Sequence, residues 1–152
     1  MTRWLDEDEQ HAWRALLGMV ETLQSGLDGQ LQRDAAMPHA YYELLVRLSE
    51  APDRSLRMSR LASVAGSSRS RLSHAVGQLE QRGWVRREPL ATDGRGQVAV
   101  LTDDGYAALE RAAPGHVEAV RRLLLDRLTP EQVRQLRRIG EAVGGCETAR
   151  PG

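Results

Sequence analysis

At Gly83 the spacing of apolar residues changes from three-to-four to two, and this change constrains the fold more than any other feature of the chain. Upstream, Trp13, Leu16, Val20, Leu23, Leu27 and Leu31 recur at helical steps and predict one long amphipathic helix, opened by Asp6 and Glu9 at capping-box spacing. Pro38 suits the first turn of a second helix, PHAYYELLVRLSE. A short helix near 59–64 closes at Gly66, and Ser67 or Ser68 caps the next, which runs to Arg82. Downstream of Gly83, WVRRE and QVAVL read as two short strands, the second with Val98 and Val100 on one face. The connection between them, PLATDGRG, is turn-rich. Thr102 then caps a helix that Pro114–Gly115 should kink or interrupt, before Val117, Val120, Leu124 and Leu128 resume its stripe. Thr129, Pro130 and Gln132 open a last helix with Val133, Leu136 and Val143 on its apolar face. The expected fold is mainly α with one small β-hairpin.

The 152 residues suffice for one domain with a core. The formal net charge is +0, so the total shows no pull towards polyanions, but the distribution does. All 21 basic residues are arginine, and between Arg54 and Arg95 nine arginines face only Glu80, Glu88 and Asp93. Arginine can grip phosphate and guanine with two parallel hydrogen bonds, which lysine cannot. The single cysteine, Cys146, excludes a disulfide framework and a cysteine-rich zinc site. His11, His39, His74 and His116 are scattered singly, so no metal site is expected, and no motif calls for a cofactor. Without a membrane-length apolar run or a signal peptide, a cytoplasmic location and no membrane partner are expected.

The helix before Gly83 carries the functional signal. At 100° per residue, Leu72, Ala75, Val76 and Leu79 share one side, and Ser70, His74, Gly77 and Gln81 lie opposite, with Arg71, Ser73 and Gln78 on the flanks. A merely solvated face would more often pair glutamate with lysine. Arg69 and Arg71 stand in the first turn, where the helix dipole disfavours cations by about a few tenths of a kcal/mol. A phosphate or a guanine edge would offset that. With the short helix before it, this segment makes a helix-turn-helix, and the following loop presents Arg95 to a narrow minor groove.

These residues occur in a recognisable order: Leu61–Ala62, a serine-rich helix start from Ser68 to Ser73, Leu79–Glu80, Gly83, Val85 with Arg87, Asp93 with Arg95, and Leu101–Thr102 with Gly105. The chain thereby resembles the MarR family of bacterial winged helix-turn-helix transcription regulators. Ala65 and Ser67 depart from it, standing where the family usually has larger apolar residues, which implies a more loosely packed turn.

The resemblance implies a winged helix-turn-helix core at 54–101, flanked by dimerisation helices at 1–53 and 102–152, in one intertwined domain. It implies a homodimer that represses transcription from a palindromic site on double-stranded DNA. Arg69, Ser70, Arg71, Ser73, His74 and Gln78 would meet base edges and nearby phosphates, Ser67 and Ser68 phosphate, and Arg95, steadied by Asp93, the minor groove. Relatives often sense small phenolic or aromatic acids in a crevice beside the DNA-binding part; Trp13, His39, Tyr41 and Tyr42 lie on elements that can line one. Redox sensing is not expected, since Cys146 lies near the C-terminus rather than the N-terminus. Two other classes compete. In an enzyme Ser70 and His74 would form a nucleophile–base pair, but no acid orients the histidine. A winged-helix module that binds protein would need exposed apolar groups, of which the wing offers only Leu90.

Overall fold

A computed structural model describes residues 1–90 and 96–144. Six α-helices and three short strands run in the order α1 (Glu7–Ala35), α2 (His39–Glu50), β1 (Ser55–Arg57), α3 (Met58–Val64), α4 (Arg69–Gln81), β2 (Val85–Pro89), β3 (Gln97–Leu101), α5 (Asp103–Leu123) and α6 (Pro130–Gly144). The chain divides into two compact units, one of Met1–Gly26 with the described residues from Val117 onward, the other of Leu27–His116.

Local signals determine where the helices start. The Asp6 carboxylate accepts the Glu9 amide at 2.8 Å while Glu9 accepts the Asp6 amide at 3.0 Å, a reciprocal capping box. Thr129 and Gln132 repeat the exchange before α6, at 3.2 and 2.9 Å. Gly83, at φ +74°, supplies the left-handed exit after α4.

The second unit holds a continuous core. Leu44, Leu45 and Leu48 of α2, Leu61 of α3, Leu72, Val76 and Leu79 of α4, and Ala99 and Leu101 of β3 are buried together. Each large side chain so buried contributes roughly 1.5–3 kcal/mol. The sheet has a third strand beyond the expected two: β1 pairs antiparallel with β3, Leu56 opposite Ala99, giving the order β1-β3-β2. Along β3, Ala99, Val100 and Leu101 are all buried, Ala99 and Leu101 within the main core cluster.

Thr102 ties the sheet to α5. Its hydroxyl donates to the Gly83 carbonyl at 2.6 Å and accepts the Gly105 amide at 3.0 Å, and its own amide donates to the Trp84 carbonyl at 3.0 Å. The expected break at Pro114–Gly115 does not occur, and α5 runs unbroken to Leu123. An interior proline costs about 3 kcal/mol, and buried Ala112 and Ala119 flank it. Leu124 and Leu128 then fall outside the helix and bracket a 3₁₀ turn at Leu125–Arg127.

In the first unit the apolar stripes are largely uncovered. Trp13 is 52 % exposed and Ile139 61 % exposed, and α6 has no buried residue at all.

Candidate nucleic-acid interface

The helix-turn-helix is α3, a short turn and α4. Gly66 takes φ +58°, and the Gly66 and Ser67 amides donate to the carbonyls of Ser63 and Ala62 at 3.2 and 3.0 Å. Main-chain bonds thus close the turn, which is why the small Ala65 and Ser67 suffice there. Ser68 is the cap: its hydroxyl accepts the Arg71 amide at 3.3 Å and keeps its own proton to donate. The amides of Arg69 and Ser70 find no carbonyl partner and face outward at the positive end of the helix.

Burying Leu72, Val76 and Leu79 turns the opposite face of α4 to solvent. Arg69, Ser70, Arg71, Ser73 and His74 are exposed, and Ser67 and Gln78 are half-buried. At Gly77 an added Cβ would meet only an Arg87 guanidinium nitrogen, at 3.8 Å, so the backbone is open to close approach. Asp93 and Arg95 lie outside the described residues, as does Cys146.

The arginines fall into two groups. Arg54 lies 3.9 Å over the Tyr106 ring and 3.3 Å from Asp103. Arg82 donates to the Ala36 carbonyl at 2.9 Å and covers Trp84. Arg86 pairs with Glu88 at 2.6 Å, Arg87 pairs with Glu80 at 2.7 Å, and Arg60 is also engaged. Arg57, Arg69 and Arg71 remain exposed with no ion pair among the described residues. Arg57 and Arg69 line one open groove with Ser59, Ser73, Leu90 and Gln97, and Arg71 is exposed elsewhere on α4. Leu90 is half-buried here rather than exposed. Sequence reasoning had no signal for Arg57, because only the pairing of β1 with β3 brings it beside α4.

The Arg87–Glu80 pair locks α4 to β2. Glu80 accepts the Arg87 amide at 3.0 Å and its guanidinium at 2.8 Å, and Arg87 also donates to Ser73 at 3.3 Å. Hydrogen bonding from the Arg87 side chain, aided by its amide and its charge, outweighs burial and holds the Glu80 carboxyl below its ordinary range. A folded value below the unfolded one contributes stability above the ordinary carboxylate range, about pH 4.3. That contribution is lost as pH falls through the lowered folded value. Glu80→Gln should therefore lower the urea midpoint at neutral pH and have little effect at the acid end. Equal loss at both ends would show that the carboxylate charge is not what stabilises.

Of the residues expected to line an effector crevice, His39 and Tyr42 come together around His116, with ring centroids 5.5 and 4.3 Å from it. Tyr42 is buried, which pushes its phenol up, and Tyr41 faces Arg82 at 5.9 Å. Trp13 lies in the first unit beside Trp4, Leu5 and Arg14. A separate cavity in the second unit is lined by Gln30, Asp34, Met37, Trp84, Arg111 and Gly115 and contains none of these four. His39 and His116 are not isolated as the sequence suggests: with Glu43 they bring three ligand-type atoms within 4.8 Å of one another. Burial, with the nearby His39, holds His116 below its ordinary value against the opposing Glu43 carboxylate.

Comparison with known proteins gives a consistent picture. The sequence pattern of the MarR family matches residues 37–96. The chain is similar to the crystal structure of Sco3205, a MarR family transcriptional regulator from Streptomyces coelicolor in complex with DNA. The two are 54 % identical, the match covers 98 % of this chain and 93 % of that one, and the TM-score is 0.91. AbsC, a MarR family transcriptional regulator from the same organism, is 40 % identical over 94 % of this chain and 96 % of its own, with a TM-score of 0.87. Among curated proteins, the HTH-type transcriptional regulator PecS of Dickeya dadantii is 36 % identical over 66 residues, 43 % of this chain. The match spans only 40 % of the length of PecS.

Proposed function

The chain belongs to the MarR family, and from that premise we propose that it is a transcription regulator that binds a palindromic operator in double-stranded DNA as a homodimer. The observation that carries this reading is the sorting of the arginines. Five of those around the winged core are held by carboxylates, rings or carbonyls or are otherwise engaged, while Arg57, Arg69 and Arg71 are exposed with no ion pair among the described residues. Three unpaired cations beside outward-facing helix amides suit a polyanion; a protein-binding wing would favour apolar groups, and Leu90 is already partly covered.

In this reading α4 enters the major groove. Arg69, Ser70, Arg71, Ser73, His74 and Gln78 meet base edges and neighbouring phosphates, while Ser67, Ser68 and the first amides of α4 hold phosphate. Arg57 adds a backbone contact. Arg95, steadied by Asp93, reaches the minor groove. The uncovered apolar residues of α1 and α6 join two chains, placing two such helices about 10 base pairs apart. A dimer on a promoter blocks polymerase, so repression is the expected sign. An aromatic acid as effector belongs to the same proposal, Arg111 and Trp84 at the second-unit cavity offering a cation and a ring face.

Selection of bound duplexes from a random pool, at two salt concentrations, tests this. The expected product is a palindrome with half-sites one helical turn apart. Arg71→Ala should then cost about 1–3 kcal/mol on that site and relax one position. Arg57→Ala should weaken all sequences alike and reduce the salt slope by about one. Failure to bind any duplex at low salt would sink the proposal.

A further inference from the structure

We propose that His39, Glu43 and His116 form a binding site for one divalent transition metal of the zinc class. His39 and Glu43 are four residues apart on α2, so their side chains rise from the same helix face one turn apart. The His39 Nε2 atom already lies 3.6 Å from Glu43 Oε1. The third member comes from α5, 73 positions further along the chain than Glu43, and folding brings ligand-type atoms of all three within 4.8 Å of one another. An ion bound about 2.0–2.2 Å from each donor needs only small side-chain rotations to close that triangle.

A second, independent observation points to a ligand. The Nδ1 atom of His116 is buried and has no hydrogen-bond partner, whereas buried polar atoms are as a rule satisfied. The imidazoles of His39 and His116 are stacked, with 26° between their planes and no bond between them. Two imidazoles brought together beside a carboxylate offer three donor groups to one shared cation. Around them the support is rigid. The Asp28 carboxylate accepts the His39 amide at 2.9 Å, anchoring the start of α2, and the buried Tyr42 ring packs against His116.

The donor set defines the metal. Two imidazoles and one carboxylate suit zinc or its neighbours, with a fourth position left for water, and are a poor match for magnesium or calcium, which prefer all-oxygen shells. A bound ion would tie the start of α2 to α5 within the second unit and so stabilise its folded form.

The test is metal binding itself, so its outcome does not depend on how the protein reads DNA. Metal-stripped full-length protein is titrated with zinc by calorimetry and with cobalt by visible absorption. One ion per chain, visible cobalt bands of a four-coordinate site and a raised Tm are expected. His39→Asn, Glu43→Gln and His116→Asn should each weaken zinc by at least about tenfold, with metal-free melts showing that they remain folded. Cys146→Ser and His11→Ala should bind as the parent does. Unchanged affinity in both histidine variants, dependence on Cys146, or absence of cobalt bands would overturn the assignment.

Discussion

Replacing Gly105 with alanine is expected to destabilise the protein more than any other single-methyl addition in the winged core. A Cβ at this position would stand 2.1 Å from the Trp84 carbonyl oxygen and 2.8 Å from a Leu101 methyl. The first of these is main chain, so no side-chain rotation relieves it. That same carbonyl accepts the Thr102 amide, while the Thr102 hydroxyl bridges the Gly83 carbonyl and the Gly105 amide. Moving α5 aside to admit the methyl would therefore break the capping of α5 and the seam between β2 and β3 together. The cost should reach about 3 kcal/mol, the upper end of ordinary overpacking, which corresponds to roughly 10 °C in Tm for a chain of this length. Gly77→Ala is the control, because the added group meets nothing closer than an Arg87 nitrogen at 3.8 Å and alanine favours the helix. Equal melting of the two variants would show that the α5–sheet junction yields easily, against the reading of Thr102 and Gly105 as its keystone.

The features legible in the sequence are those settled within one turn of chain. The boxes at Asp6–Glu9 and Thr129–Gln132, the Ser68 cap and the left-handed Gly83 all depend on neighbours three or four residues away. The buried side of α4 was legible for the same reason, since Leu72, Val76 and Leu79 repeat at the helical period. What escaped depended on distant partners. Ser55–Arg57 is three residues long, too short to alternate, and is a strand only because β3 pairs with it. That hidden pairing also makes β3 the central strand, where three consecutive residues, Ala99, Val100 and Leu101, are buried. Composition showed nine arginines in the middle of the chain, but only the fold separates Arg87, spent on Glu80, from Arg57, Arg69 and Arg71. Similarly, His116 appears isolated until α5 packs against the start of α2.

Ile139→Asp should have the largest effect on operator binding, although Ile139 is far in sequence from every residue assigned to DNA. The argument begins with α6, a fifteen-residue helix with no buried side chain. Ile139 is 61 % exposed and Val143 85 %, while on α1 Trp13, Leu16 and Leu17 are 52, 44 and 48 % exposed. An amphipathic helix draws most of its stability from packing its apolar face, so faces this open suit a second copy of the chain. Covering five such side chains would contribute on the order of 10 kcal/mol, comparable with the roughly 4–15 kcal/mol that association costs in lost freedom. The balance is close enough for one buried, unpaired carboxylate to reverse it. Once the dimer is lost, each recognition helix binds a half-site alone, and the gain from linked sites, about 10²–10⁴-fold, disappears. Sedimentation should show a monomer, and affinity for the full palindrome should fall to that for a half-site. Arg71→Ala, measured alongside, should lose DNA affinity while remaining a dimer. A variant that stays dimeric and binds the palindrome like the parent would place the subunit contact away from α6 and remove the basis for pairing two α4 helices across one operator.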